Sequence, residues 1–139
     1  MFQKIAIPVD LAHADKLGKA LATGADLAKR HGASVTYIGV TGTAPGKTAH
    51  SPEEYAAKLA DFASAQATEH GIDAMSETVT AHDPAIDLDK LLVETVGKLG
   101  ADLVVMATHV PNAADYLWAA HGVSIAGHVK ASVFLVRDV

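Results

Sequence analysis

Five short apolar runs alternate with four longer segments of helical spacing along the chain. The runs are Ile5 to Val9, Ser34 to Val40, Ser76 to Thr80, Asp102 to Ala107 and Ser132 to Arg137. Strand-length runs alternating with helix-length amphipathic segments predict an α/β domain built on a doubly wound parallel sheet, Rossmann-like or flavodoxin-like in topology, with five strands and four helices. The first, second, fourth and fifth runs are largely β-branched or aliphatic, as strands covered on both faces are. Ser76-Glu77-Thr78-Val79-Thr80 is more polar and belongs at an edge. If strands two and three step outward from strand one, and the chain then returns to lay strands four and five on the other side, the order is 3-2-1-4-5. Ligands of such sheets sit beyond the carboxyl ends of the strands, where the order reverses. That point lies between strands one and four, so Pro8-Val9-Asp10 and Ala107-Thr108-His109 are site candidates on topology alone.

The helical segments carry readable ends. The first runs from about Ala14 to Arg30 with Leu17, Leu21, Gly24 and Ala28 on one face, and His31-Gly32 closes it as a C-terminal glycine cap. The second opens on Ser51-Pro52-Glu53-Glu54, a capping box with proline at the first helical position, presents Tyr55, Leu59, Phe62 and Ala63, and stops at His70-Gly71. A third, from about Ala85 to Leu99, buries Leu88, Leu91, Leu92 and Val96 and ends at Gly100; a fourth spans about Ala119 to His128. The long irregular stretch is Thr41 to His50, and connections of that length are often functional.

With 139 residues, half of them apolar, the chain has the size of one domain, residues 1–139, with a core that needs no staples. A net charge of −5 with eleven scattered cations argues against nucleic acid as a partner, because binding driven by counterion release needs clustered Lys and Arg. The absence of cysteine removes disulfides, thiolate catalysis and Cys-based zinc sites together. Met1-Phe2-Gln3-Lys4 leads directly into a strand, and no apolar run approaches membrane-spanning length, so the expectation is a soluble, cytoplasmic protein with no membrane partner.

The last third carries the functional question. Met106-Ala107-Thr108-His109-Val110-Pro111-Asn112, then a helix, then Ser132-Val133-Phe134-Leu135-Val136-Arg137, resembles the end of the universal stress protein family. In that family the frame reads Gly-x-x-Gly, about nine residues, then Gly-Ser or Gly-Thr. Here Ala107, Val110 and Ala119-Ala120 stand at those positions. Thr108-His109-Val110-Pro111-Asn112 is similar to the branch of the family, F/G-type, whose loop reads Ser-His-Arg-Pro-Asp. Ile7-Pro8-Val9-Asp10 also matches the family's opening strand, and His82-Asp83-Pro84 departs from its usual Gly-Ser-Pro or Gly-Asp-Pro.

The resemblance implies a small regulatory domain that pairs as a homodimer through its last strand and holds an adenine nucleotide, ATP or AMP. The positions it implies for the ligand are Pro8, Val9, Asp10, Val40, Met106, Ala107, Thr108, His109, Val110, Ala120, His121 and Gly122. Read without the family, Asp10 is more readily a helix cap or Asx turn than a ligand contact. Side chains at Ala107 and Val110 obstruct the close backbone approach that glycine gives a phosphate, so the grip on phosphate should be weak. Gly122 offers partial compensation.

Other constellations are weaker. Thr41-Gly42-Thr43-Ala44-Pro45-Gly46-Lys47-Thr48 resembles a P-loop, but threonine replaces the first glycine and the helix starts only at the Ser51 cap, whereas a P-loop lysine sits at the helix N-terminus. Eight dispersed histidines show no metal-ligand spacing. His31 and His70 suit helix C-termini, and His109 and His121 belong near the switch point. A receiver-like phosphoacceptor would use Asp10, Asp83 and Thr108, but the adjacent acidic pair after strand one is missing and Arg137 stands where its lysine should be. A weak nucleotide hydrolase using the same pocket is the remaining alternative; no nucleophile-and-base signature points to efficient catalysis.

Overall fold

A computed structural model of the chain describes residues 1–108 and 122–137. Five parallel strands form one sheet: β1 (Lys4–Pro8), β2 (Ser34–Gly42), β3 (Ala74–Ala81), β4 (Leu103–Thr108) and β5 (Ser132–Arg137), in the order β3-β2-β1-β4-β5. The expected order and the edge position of the polar third strand are both present. Among the described residues, four α-helices connect the strands: α1 (Gly18–His31), α2 (Pro52–His70), α3 (Pro84–Leu99) and α4 (Gly122–Ala126). A 3-10 segment, Leu11–Lys16, adds a fifth helical element.

The alternation of side chains along each strand sorts the core into two layers. Ile5, Ile7 and Val9 of the first strand, Val35 and Tyr37 of the second, and Leu103, Val105 and Ala107 of the fourth pack with Leu17, Leu21, Tyr55 and Leu59 beneath α1 and α2. Ala6, Ile38, Val40, Val104 and Met106 face the opposite layer with Leu88, Leu92, Val96 and Ile125 of α3 and α4. Gly24 lets α1 approach the sheet closely, since a Cβ there would lie 2.4 Å from Ile7 Cδ1.

Helix ends follow local chemistry. Gly32 and Gly71 close α1 and α2 in the left-handed region at φ 65°, and Gly100 does the same after α3 at φ 68°. At the start of α2, Ser51 Oγ accepts the Glu54 N–H at 3.1 Å. The Glu54 carboxylate reaches back to the His50 N–H at 3.1 Å, one residue earlier than a standard capping box. That amide, followed by Lys58 at 3.4 Å, holds the Glu54 carboxyl below its ordinary range.

Two expected boundaries change. The first helix begins at Gly18, not Ala14, because Asp10 accepts the Ala12 N–H at 3.1 Å and nucleates a separate 3-10 turn. His13 breaks helical geometry at φ −128°, ψ 28°. The fourth helix ends at Ala126, where Gly127 turns back onto the carbonyls of Val123 and Ser124; the expected start at Ala119 lies outside the described residues.

Asp102 ties three strands together at their amino ends. Its carboxylate accepts the N–H of Gln3 at 3.0 Å and of Lys4 at 3.1 Å, while its backbone bonds Lys4 on one side and Ser132 on the other. Partial burial pushes its pKa up, but the amides of Gln3 and Lys4 prevail and hold the carboxyl below the usual range.

Candidate functional site

The carboxyl ends of β1 and β4 part company. Their register runs through Ile5↔Leu103 and Ala6↔Val104 only, and beyond it Val9 donates its N–H to Ile38 of β2 at 2.8 Å. Pro8 has no N–H to donate. The β1–β4 pairing therefore stops short of the strand ends where topology places the switch point.

Beside it, over the ends of β1 and β2, lies a cleft of about 180 Å³. Asp10 and Val40 line it, together with Thr41, Gly42, Lys47, Thr48, Ala49 and Tyr55. Asp10 takes the cap role: one carboxylate oxygen caps the Leu11–Lys16 turn, the other meets His13 Nδ1 at 3.0 Å, and the side chain is only 15% exposed. Tyr55 reaches the cleft across Gly39, which is small enough to admit it; a Cβ on Gly39 would lie 2.5 Å from Tyr55 Oη. Burial, with the Asp10 charge second, pushes the Tyr55 hydroxyl pKa well up, so the group is a neutral donor and acceptor.

The Thr41–His50 connection is shaped by specific bonds. Gly46 donates its N–H to the Ala49 carbonyl at 2.9 Å, Ala49 is buried in the core, and the Lys58 ammonium donates to the Thr48 carbonyl. Ser51 caps α2 four residues past Lys47, so Lys47 does not occupy a P-loop position.

The remaining expected site residues are distributed as follows. Val9 and Met106 are fully buried, and their side chains belong to the two core layers, leaving only their backbone for a ligand. Ala107 is 7% exposed and packs beneath α1; Thr108, half-buried, ends β4. Pro8 is in register with Ile38. Gly122 packs against the tip of Leu135, where a Cβ would sit 2.6 Å from Leu135 Cδ2 and push that side chain aside. His109, Val110, Ala120 and His121 lie outside the described residues.

Sequence reasoning placed Tyr55 in the core and Lys47 in an ordinary loop. A glycine inside the apolar second strand was the available signal, because such a glycine marks a close approach by another group. A roomier depression of about 430 Å³ lies between α3 and α4, but none of its lining residues, Val93, Ser124 and His128 among them, comes from a strand. Among the described residues no three His, Asp or Glu side chains gather as a metal site would require, and no helix is long and apolar enough to cross a membrane.

A parallel sheet with a single order reversal, and a cleft over its strand ends lined by a carboxylate and a buried tyrosine, defines a small doubly wound α/β domain. Residues 1–137 match the universal stress protein family, and the chain belongs to that family. The fold is similar to a universal stress protein solved in complex with cAMP (TM-score 0.70, 16% identity, 99% of each chain covered). It is also similar to the Archaeoglobus fulgidus universal stress protein in complex with dAMP (TM-score 0.67, 14% identity, 96% of each chain). A third likeness is to an Arabidopsis thaliana family member with AMP bound (TM-score 0.64, 11% identity, 97% of this chain and 91% of that one). No curated protein sequence matches the chain at a significant level.

Proposed function

We propose that this chain is a small cytoplasmic regulatory domain, homodimeric through β5, that binds an adenine nucleotide over the carboxyl ends of β1 and β2. The observation that carries the proposal is the meeting of Asp10 and Val40 at one cleft beside the point where β1 and β4 separate. The three solved relatives with cAMP, dAMP and AMP support the ligand class.

The residues fit the nucleoside better than the phosphates. Asp10 is an acceptor for ribose hydroxyls or an adenine amine, and the end of β2 from Val40 to Gly42 offers backbone groups along one wall. At the phosphate end, Ala107 puts a buried side chain where the family has glycine. AMP should therefore bind, with little gained from the β and γ phosphates of ATP. The open edge of β5, with Phe134 45% exposed between half-buried Val133 and Leu135, supports pairing with a second copy.

Calorimetry with AMP and ATP tests the ligand. A Kd on the order of 100 μM would, at about 1 mM AMP, stabilise the fold by roughly 1.4 kcal/mol through RT ln(1+[L]/Kd). Absence of both heat and thermal stabilisation at millimolar nucleotide rejects it. Sedimentation as a monomer at tens of micromolar protein, on the order of concentration that dissociates only weak interfaces, rejects the homodimer.

A further inference from the structure

We infer that Lys47 reads the phosphate of a bound nucleoside monophosphate, supplying from the β2–α2 connection the contact that the glycine-poor end of β4 does not. The assignment rests on the nucleotide reading above and specifies how that site tells nucleotide from nucleoside.

The backbone around Lys47 is pinned on both sides. Gly46 is bonded to Ala49, the Thr48 carbonyl accepts from Lys58, Ala49 is buried, and the His50 N–H is taken by Glu54. The neighbouring cation, Lys58, is already paired with Glu54 at 3.4 Å. Lys47 forms no hydrogen bond or ion pair among the described residues, although it lines the same cleft as the Asp10 carboxylate. The cleft is therefore lined both by a carboxylate residue and by a lysine with no hydrogen-bond or ion-pair partner among the described residues.

A ligand complementary to both needs hydroxyl or amine donors at one end and an anion at the other. A ribose monophosphate unit satisfies this within a space of about 180 Å³, which is below the roughly 300 Å³ at which pockets for whole drug-sized ligands begin. A lysine acts on phosphate as a point charge on a flexible stem, so it needs no glycine cradle and no helix dipole behind it. This also explains how a Gly-Lys-Thr sequence that fails as a P-loop retains a role with phosphate: Ser51 caps α2 too late, yet the loop folds back and leaves Lys47 at the cleft.

The test compares adenosine with AMP by calorimetry on the full chain, in the wild type, Lys47→Gln and Lys47→Arg. Wild type should prefer AMP over adenosine by about tenfold, the size of one partly exposed charge-assisted hydrogen bond. Lys47→Gln should bring that ratio close to one, and Lys47→Arg should keep most of it. Raising salt should shrink the wild-type ratio, because the contact lies at the cleft mouth. A ratio unchanged in Lys47→Gln overturns the assignment and leaves the nucleoside pocket standing. So does a wild type that binds adenosine and AMP equally. If neither compound binds the wild type, the nucleotide reading itself fails, and the role of Lys47 fails with it.

Discussion

Replacing Gly39 by alanine would place a methyl group 2.5 Å from Tyr55 Oη, 2.8 Å from Tyr55 Cε1 and 3.0 Å from Leu59 Cδ2. A tyrosine ring is not a flexible tail, and Leu59 is fully buried, so the strand or α2 must yield. Overpacking of this kind costs about 1–3 kcal/mol. Restricting the unfolded chain by exchanging glycine for alanine returns roughly 0.4–1 kcal/mol. The net loss should be about 1–2 kcal/mol, which for a chain of this length lowers Tm by roughly 3–8 °C. Urea unfolding at fixed protein concentration should show a lower midpoint with an unchanged slope. The origin of the loss is checked by a double-mutant cycle with Tyr55→Leu, in whose background the alanine should cost at least about 1 kcal/mol less. AMP binding should weaken in Gly39→Ala because the displaced ring lines the cleft. A Gly39→Ala protein as stable as wild type, or a cost that is the same in the Tyr55→Leu background, would show that the Tyr55 ring does not need the space at Gly39.

Three further outcomes are expected. Asp102→Asn should destabilise the fold at neutral pH by about 1–2 kcal/mol, since two amides lose a charged acceptor. The folded pKa of Asp102 lies below its unfolded value, so its stabilisation is present above the unfolded pKa and disappears as pH falls through the folded one. Acid titration of stability should accordingly be shallower in the variant, and identical titrations would remove Asp102 from the account. Tyr37→Phe should stabilise by about 1 kcal/mol, because the Tyr37 hydroxyl is buried with no hydrogen-bond partner among the described residues. Burial, helped by Glu69, pushes the Tyr37 pKa up to about 12, so the stability tied to its neutral form is lost as pH climbs from 10 through that value. Alkaline unfolding should therefore be less steep in Tyr37→Phe; a destabilised variant would show a partner for the hydroxyl. Phe134→Asp should shift sedimentation towards monomer while leaving the circular dichroism of the fold intact, and an unchanged oligomer would move the interface away from β5.

Much of the fold was legible because burial on both faces writes itself into composition. Ile5 to Val9 are all buried, and no polar residue could occupy those positions cheaply. The mixed exposure of β3 produced its polar sequence in the same way. The start of α1 was not legible, because Asp10 offers the backbone a competing local bond and periodicity carries no sign of it. At the candidate site, Asp10 was readable from its position at a strand end, and Val40 from the family resemblance. Tyr55 was hidden because one side chain serves both core and cleft, and its spacing on α2 reports only the first. Lys47 was hidden because loop closure through Gly46, Ala49 and Lys58 depends on contacts between segments, not on any local pattern.

The carboxylate clasp at Asp102 bears on how the protein emerges from the ribosome. The first strand to be made is the middle of the sheet, and one of its edges has no partner until β4 is synthesised, some 61 residues after β2 ends at residue 42 and β4 begins at residue 103. At about 5–20 residues per second, that leaves an apolar edge bare for roughly 3–12 seconds. Asp102 immediately precedes the strand that covers it, and its bonds to Gln3 and Lys4 span 99 and 98 residues of sequence. Truncated nascent chains ending before residue 102 should thus be the species most dependent on chaperones, and those extending just beyond β4 the first to resist proteolysis.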